Sequence, residues 1–463
     1  MRRKISRRQF IAGTATLAAA GALPWREAAS APSDLRAMPG TAQLAPPDYP
    51  ETPIWGYQGQ VPGPTLRVAQ GERLTRRFVN DLPQASTIHW HGIRIVNAMD
   101  GVPDLTQPAV PPGGDFLYEF VAPDAGTYWY HPHNRTWEQM ARGLYGALIV
   151  EEPKPPAVDR DDVLLIDDWR LADDGRIRED FGSMRDWSHG GRLGNWITVN
   201  GDGAFRLPVE HRERLRLRLI NTANARVFSL GLQGLEGWTV ALDGQPLDTP
   251  QPVGRLTLAP AQRADLIVDV VEQKAGEAFL VSFETDGGFA LATFDIAGSA
   301  RAARLPAPAP LPANPLLPLG DLDAARRTTL RMEGGAMGGM RTAMLGGERR
   351  SMRELVASGK VWSFNGMADM PDEPLVACER GETMLIAMVN DTAWPHAMHL
   401  HGHHFRPIGD DGGLGPLRDT VLVNRGETAE IAFVADNPGD WLLHCHMLEH
   451  SAGGMMTWLR VNA

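Results

Sequence analysis

The stretch HCHMLEHSAGGMM at positions 444–456 sets three histidines and a methionine around Cys445, one of two cysteines among 463 residues. Side chains alternate along a strand, so the Cys445 thiol is expected on one face and the His444 and His446 imidazoles on the other. One thiolate, two imidazoles and a weak axial thioether are the ligands of a blue-copper electron-transfer site. His450 and Met455 follow in a glycine-containing loop able to wrap back over a metal. The second imidazole must come from elsewhere, and HAMHLHG (396–402) offers His396, His399 and His401. The other cysteine, Cys378, lies in a strand-like stretch and reads as an ordinary buried thiol.

Four histidine pairs have members two residues apart: His89 and His91, His131 and His133, His399 and His401, His444 and His446. Each pair shares one strand face. Eight imidazoles from two domains imply a cluster of more than one ion at their interface. Imidazole alone suits Cu, Zn, Fe or Ni, and the neighbouring cysteine site makes copper the choice.

The elements that carry these residues repeat along the chain. His89 and His91 stand 9 and 11 residues after Asn80, and His399 and His401 stand 9 and 11 after Asn390. That alignment leaves His396 for the cysteine site. In a middle copy the same count from Asn221 reaches Leu230 and Leu232, where RLRLRL (214–219) reads as a half-buried strand. Gly126 precedes His131 by five residues, and Gly439 precedes His444 by five; Val281 and Phe283 fill the matching places in the middle copy. Three related β-domains follow, with ligands only in the outer two. Their expected bounds are 40–152, 158–298 and 325–463. A proline-rich linker at 299–324 separates the last two.

With HWHG at 89, HPH at 131, HAMHLHG at 396 and HCHMLEHSAGGM at 444 in order, the chain resembles the multicopper oxidases. The resemblance covers essentially the whole mature chain. It implies an all-β protein of three cupredoxin-like Greek-key domains and four copper ions per chain. By position, His396, Cys445 and His450 would hold the blue copper with Met455 axial. His89 and His399 would hold the type 2 ion. His91, His131 and His446 would hold one type 3 ion, and His133, His401 and His444 the other. The implied activity is one-electron oxidation of a reductant coupled to reduction of O2 to water. Pro132 occupies the place of Cys445 in the first domain, which should therefore lack a blue copper. Asp100, nine residues after His91, matches the family's proton-relaying acid; the alternative is a turn Asp before Gly101. Where many bacterial members carry Glu after the last blue-copper histidine, this chain has Ser451. His189, His211, His403 and His404 fit no motif.

Composition narrows the rest. A net charge of −11 gives no reason to expect nucleic acid, and 49 Gly with 36 Pro favours short strands and turns over long helices. The opening residues, MRRKISRRQFIAGTATLAAAGALP, form a basic head and an apolar run too short to span a bilayer well. Arg7 and Arg8 before Gln9, Phe10 and Ile11 resemble a twin-arginine signal, expected to end near residue 31. The mature protein is expected outside the cytoplasm, exported by the twin-arginine machinery, soluble and monomeric. Residues 332–352 carry five methionines and six glycines. Thioethers favour Cu(I), so Met332, Met337, Met340 and Met344 are candidates for a Cu(I) substrate site; the alternative is an incidental loop. The leading expectation is an oxidase of Cu(I) and phenols serving copper tolerance. A general laccase and a copper-sequestering protein with little turnover are the alternatives.

Overall fold

Three stretches, RLTRRFVN (Arg73–Asn80), RLRLRLIN (Arg214–Asn221) and TMLIAMVN (Thr383–Asn390), form corresponding strands and end on the asparagines from which the histidine spacing counts. Each asparagine does the same work. The Asn80, Asn221 and Asn390 Oδ1 atoms accept the backbone N–H two residues on, from Leu82, Ala223 and Thr392. Their Nδ2 groups donate to the Gln84, Arg226 and Trp394 carbonyls and to carbonyls of a more distant segment, at Val110, Leu258 and Val423. A buried amide that satisfies this many backbone groups fixes the turn. The constant spacing to the next strand is the result.

The computed structural model describes residues 33–271, 276–284 and 287–463; the export signal expected at residues 1–31 lies outside the described residues. Strand makes up 49% and helix 5%, so the protein is all-β. Each domain pairs two sheets. The first has sheets of four strands each, the second of six and five, and the third of five and five with an added hairpin. One sheet of each domain has the same order. Leu66–Ala69 runs parallel to Gly146–Glu151, which pairs with Gly126–His131 and then His89–His91. In the third domain Val376–Glu379, Met456–Asn462, Gly439–Cys445 and His396–Leu400 repeat that order. The domains are cupredoxin-like, and each holds its own core, which includes Phe78, Leu217 and Ile386 respectively.

The middle copy departs from the pattern in two ways. In the outer domains His89 faces His131 and His399 faces His444 across the ladder. Counting would set Leu230 opposite Val281, yet Leu230 pairs with Ser282. A one-residue slip of this kind reverses which side chains share a face. The expected half-buried strand at 214–219 is instead buried at every position. Its arginines are paired: Arg214 with Asp269, Arg216 with Asp265 and Glu152, Arg218 with Asp161. Arg218 also donates to Thr127 of the first domain, so the polar face is a domain interface rather than a solvent face.

The linker is a strap rather than a tether. Leu311 is buried beside Val240, Ala241 and Ile267. Asn314 donates to the Ala125 carbonyl and Gln245 Oε1 and accepts from Ala125 N–H and Gln70.

Candidate metal centre

His444 and Cys445 end the strand Gly439–Cys445, His446 follows it, and the three divide between two clusters as alternation requires. On one side Cys445 Sγ lies 3.6 Å from His396 Nδ1 and 3.8 Å from His450 Nδ1, and the two nitrogens lie 3.1 Å apart. The outer ring nitrogens decide the protonation. His396 Nε2–H donates to Thr392 Oγ1 (2.8 Å) and His450 Nε2–H donates to the His189 carbonyl (2.6 Å). In a neutral ring one nitrogen donates and the other accepts, so both Nδ1 lone pairs face each other and the sulfur. All three residues are fully buried. Burial lowers the His450 pKa to about 4 and raises that of Cys445 to about 12, against the pull of the Met447 and Ala397 backbone N–H groups. Converging lone pairs and a costly thiolate fit a cation between them. Met455 is buried in the same core as Cys445, and its carbonyl accepts the Cys445 N–H.

The opposite side gathers the eight paired imidazoles. His401 Nδ1–H donates to Asp100 Oδ2 (2.9 Å) and His444 Nδ1–H to the Cys445 carbonyl (3.0 Å), which leaves their Nε2 lone pairs facing each other at 3.1 Å. His133 completes that group. His131 Nδ1–H donates to the Pro132 carbonyl, and its Nε2 lies 3.5 Å from His91 Nδ1 and 3.4 Å from His446 Nε2. His89 and His399 turn their Nδ1–H groups to the Asp100 and Asp419 carbonyls, and their Nε2 atoms are buried with no hydrogen-bond partner. Nitrogens each about 2.0–2.1 Å from one ion would stand a little over 3 Å apart, close to the spacings found. Burial, then repulsion among the rings, holds His131, His401, His444 and His446 well below their ordinary pKa, and that of His133 at about 3. Neutral imidazoles with convergent lone pairs are what divalent or monovalent copper requires.

The sequence candidates take these places. Asp100 is buried between His89, 3.2 Å from Oδ1, and His401. Ser451 Oγ lies 3.3 Å from His444 Nδ1. Of the histidines outside the motifs, His403 and His404 are buried behind the cluster, and the His189 carbonyl caps His450. The methionine assignment needs correction. Met332 lies on the strand Arg326–Gly334 with its side chain in the third-domain core, where a strand alternates inward, so it is removed from a substrate site. Met337 is 78% exposed, Met344 is half-buried, and Met340 Sδ accepts from Ser363 Oγ. The segment is ordered: a Gly346–Gly347 turn joins Thr342–Leu345 to Glu348–Ser351, and a Ser351/Glu354 capping box opens a short helix.

Sequence reasoning missed Asp419, Arg263 and two tryptophans. Asp419 is buried with Oδ1 3.4 Å from His91 Nε2 and 3.5 Å from His399 Nδ1. Trp129 lies against His131 (ring centroids 4.3 Å) and Trp362 against His450 (4.5 Å). None belongs to a spaced motif.

Multicopper oxidase profiles match residues 40–155, 160–297 and 347–463. Multicopper oxidase MmcO of Mycobacterium tuberculosis is 30% identical, over 99% of this chain and 97% of its own. Copper resistance protein A of Pseudomonas syringae pv. tomato is 26% identical over the full length of both. Among solved structures, one from a marine microbial metagenome is 43% identical with a TM-score of 0.75, covering 93% of this chain and all of its own. A multi-copper oxidase of Pseudomonas Thermotolerans is 33% identical with a TM-score of 0.79 over the same shares. With the paired imidazoles, the cysteine between them and the three repeated domains, these likenesses place the chain in the multicopper oxidase family.

Proposed function

We propose that this oxidase takes electrons from Cu(I) and from phenols, and that it serves copper tolerance outside the cytoplasm after export through the twin-arginine route as a monomer. Copper supplies the one-electron steps at the cysteine site and the reduction of O2 to water at the histidine cluster. The observation that carries this reading is the placement of the consecutive residues His444, Cys445 and His446, at the end of one strand, with donors in both clusters. Only a few covalent bonds separate the sulfur from the two cluster imidazoles.

As the family resemblance implies, His396, Cys445 and His450 with Met455 would hold the blue copper; His89 and His399 the type 2 ion; His91, His131 and His446, and His133, His401 and His444, the type 3 pair. Asp100 orients His89 and His401 and stands ready to pass protons. The charged N-terminal head and the twin arginines support the export reading. A copper resistance protein among the relatives supports the role in tolerance, and a laccase of Cryptococcus neoformans, 26% identical over 90% of this chain and 82% of its own, supports phenols. Steady-state O2 consumption by the copper-loaded protein, with Cu(I) and with a phenol, tests the reading. Turnover on both is expected. Copper binding without sustained O2 uptake would make the protein a store instead.

A further inference from the structure

The blue-site edge does not open directly to solvent. His450 Nε2–H is capped at 2.6 Å by the carbonyl of His189, which follows the short helix Met184–Ser188 of the middle domain. Beyond that carbonyl lies a cavity of about 490 Å³ whose walls include His189, Leu193, Trp394, Arg170, Arg178 and Arg185. That volume is ample for one aromatic ring with substituents. Two observations define what fits. The first is an aromatic wall. The His189 and Trp394 rings lie 5.2 Å apart, and both line the cavity with Gly190 beside them. The second is charge. Asp186 is held bidentately by Arg170 at 2.7 and 2.9 Å. Asp180 is shared by Arg170, Arg178 and Arg192. Three guanidinium groups on the cavity wall, Arg170, Arg178 and Arg185, thus stand against two carboxylates, Asp180 and Asp186, in a protein whose net charge is −11. A cleft of one sign concentrates ligands of the other.

We propose that this cavity is the docking site for the organic reductant and selects phenols that carry a carboxylate. The inference rests on the phenol half of the proposed function. The ring stacks on Trp394 beside His189, and the carboxylate lies toward Arg178 and Arg185, the guanidiniums least committed to Asp180 and Asp186. Each phenol loses one electron and one proton to become a phenoxyl radical. The proton goes to bulk water, and the electron leaves through the His189 carbonyl and its hydrogen bond to His450. Four electrons and four protons with one O2 give two H2O, so the established oxidant closes the balance.

The test compares 4-hydroxy-3-methoxycinnamate with its methyl ester, in the wild type and in the Arg178→Ala/Arg185→Ala double variant. Taking the acid-to-ester ratio of kcat/KM within each protein cancels effects on the copper sites. The ratio should fall about tenfold in the variant, the worth of one charge-assisted contact, and should shrink in the wild type with added salt. A readout without turnover uses metal-free protein. There 3,4-dimethoxybenzoate, which lacks a phenolic hydrogen, should quench tryptophan fluorescence saturably, and the double variant should weaken its binding about tenfold. An unchanged ratio and unchanged binding would overturn the site while leaving phenol oxidation intact. Oxidation of Cu(I) with no turnover of either phenol would overturn the phenol reading itself, and the docking site with it.

Discussion

Arg263, from the domain without metal ligands, grips Asp419 of the third domain through two hydrogen bonds, Nη1–Oδ1 at 2.8 Å and Nη2–Oδ2 at 2.6 Å. Neither side chain reaches solvent. Burial would raise the Asp419 carboxyl, but the Arg263 charge overrides it and holds the group well below the carboxylate range. The pair is wedged against Gly92, directly after His91. A Cβ there would lie 2.2 Å from Arg263 Nη2, and the backbone φ of +84° also favours glycine. Breaking a buried pair on one side strands a charge. Arg263→Met should therefore cost about 3–5 kcal/mol of stability, and adding Asp419→Asn should recover part of it. Denaturant unfolding of the metal-free proteins measures both. Strictly additive losses would show that the two residues are not coupled.

Asp100→Asn keeps the size of the side chain but removes the carboxylate between His89 and His401. Return of the blue colour with O2 should slow by about 100-fold, in the range typical of a lost acid–base group. Bleaching by reductant should barely change. Stopped-flow absorbance separates the two phases, and equal rates of colour return would reduce Asp100 to a turn residue.

Cys445→Ser should abolish the thiolate-to-copper absorption and nearly all oxidase activity while the histidine-held copper remains. Metal analysis and visible spectra check this together. A variant that stays blue would move the blue site elsewhere.

The methionines now separate by environment. Met332→Ser removes a core thioether and introduces a hydroxyl, so it should cost about 2–5 kcal/mol. Met337→Ser, at an exposed position, should leave the melting temperature unchanged. If Met337, Met340 and Met344 collect Cu(I), replacing all three with Ser should raise the KM for Cu(I) more than that for a phenol. Equal effects on both would leave the segment a structural cover.

How much of this was legible follows from distance along the chain. Histidine pairs at i, i+2 announce a strand face by themselves, and Asn80 and Asn390 fix the spacing through local bonds that any copy of the motif must keep. Arg263 and Asp419 lie in separate domains and carry no local pattern, so only the fold brings them together. Met332 was misread because a methionine-rich composition cannot say which residues a strand turns inward. RLRLRL had the right period, but its arginines met carboxylates at a domain interface instead of water.

Acid should act on the metal-free protein through its buried imidazoles. Burial holds His403, His404 and His450 at about 4 and His133 at about 3, all below the unfolded value of about 6.5. The unfolded chain therefore binds more protons between those values. Stability is full above pH about 6.5 and falls as pH drops toward about 4, by up to about 1.4 kcal/mol per pH unit for each such histidine. Unfolding midpoints measured from pH 7 to 4 should show this fall, and copper should blunt it by competing with protons. A flat profile would mean that the imidazoles are already solvated.

The ligands of the histidine cluster begin at His89 and end at His446. At a synthesis rate of about 5–20 residues per second, tens of seconds separate the first ligand from the last. During that interval the first domain can fold around His89, His91, His131 and His133 with half of a binding site already formed. Any ion captured then would sit without its partners, and Cys445 does not yet exist to receive electrons. Correct metallation is therefore a question of timing: loading must wait until the last strand has docked, which favours a copper supply that meets the protein only after the whole chain has folded.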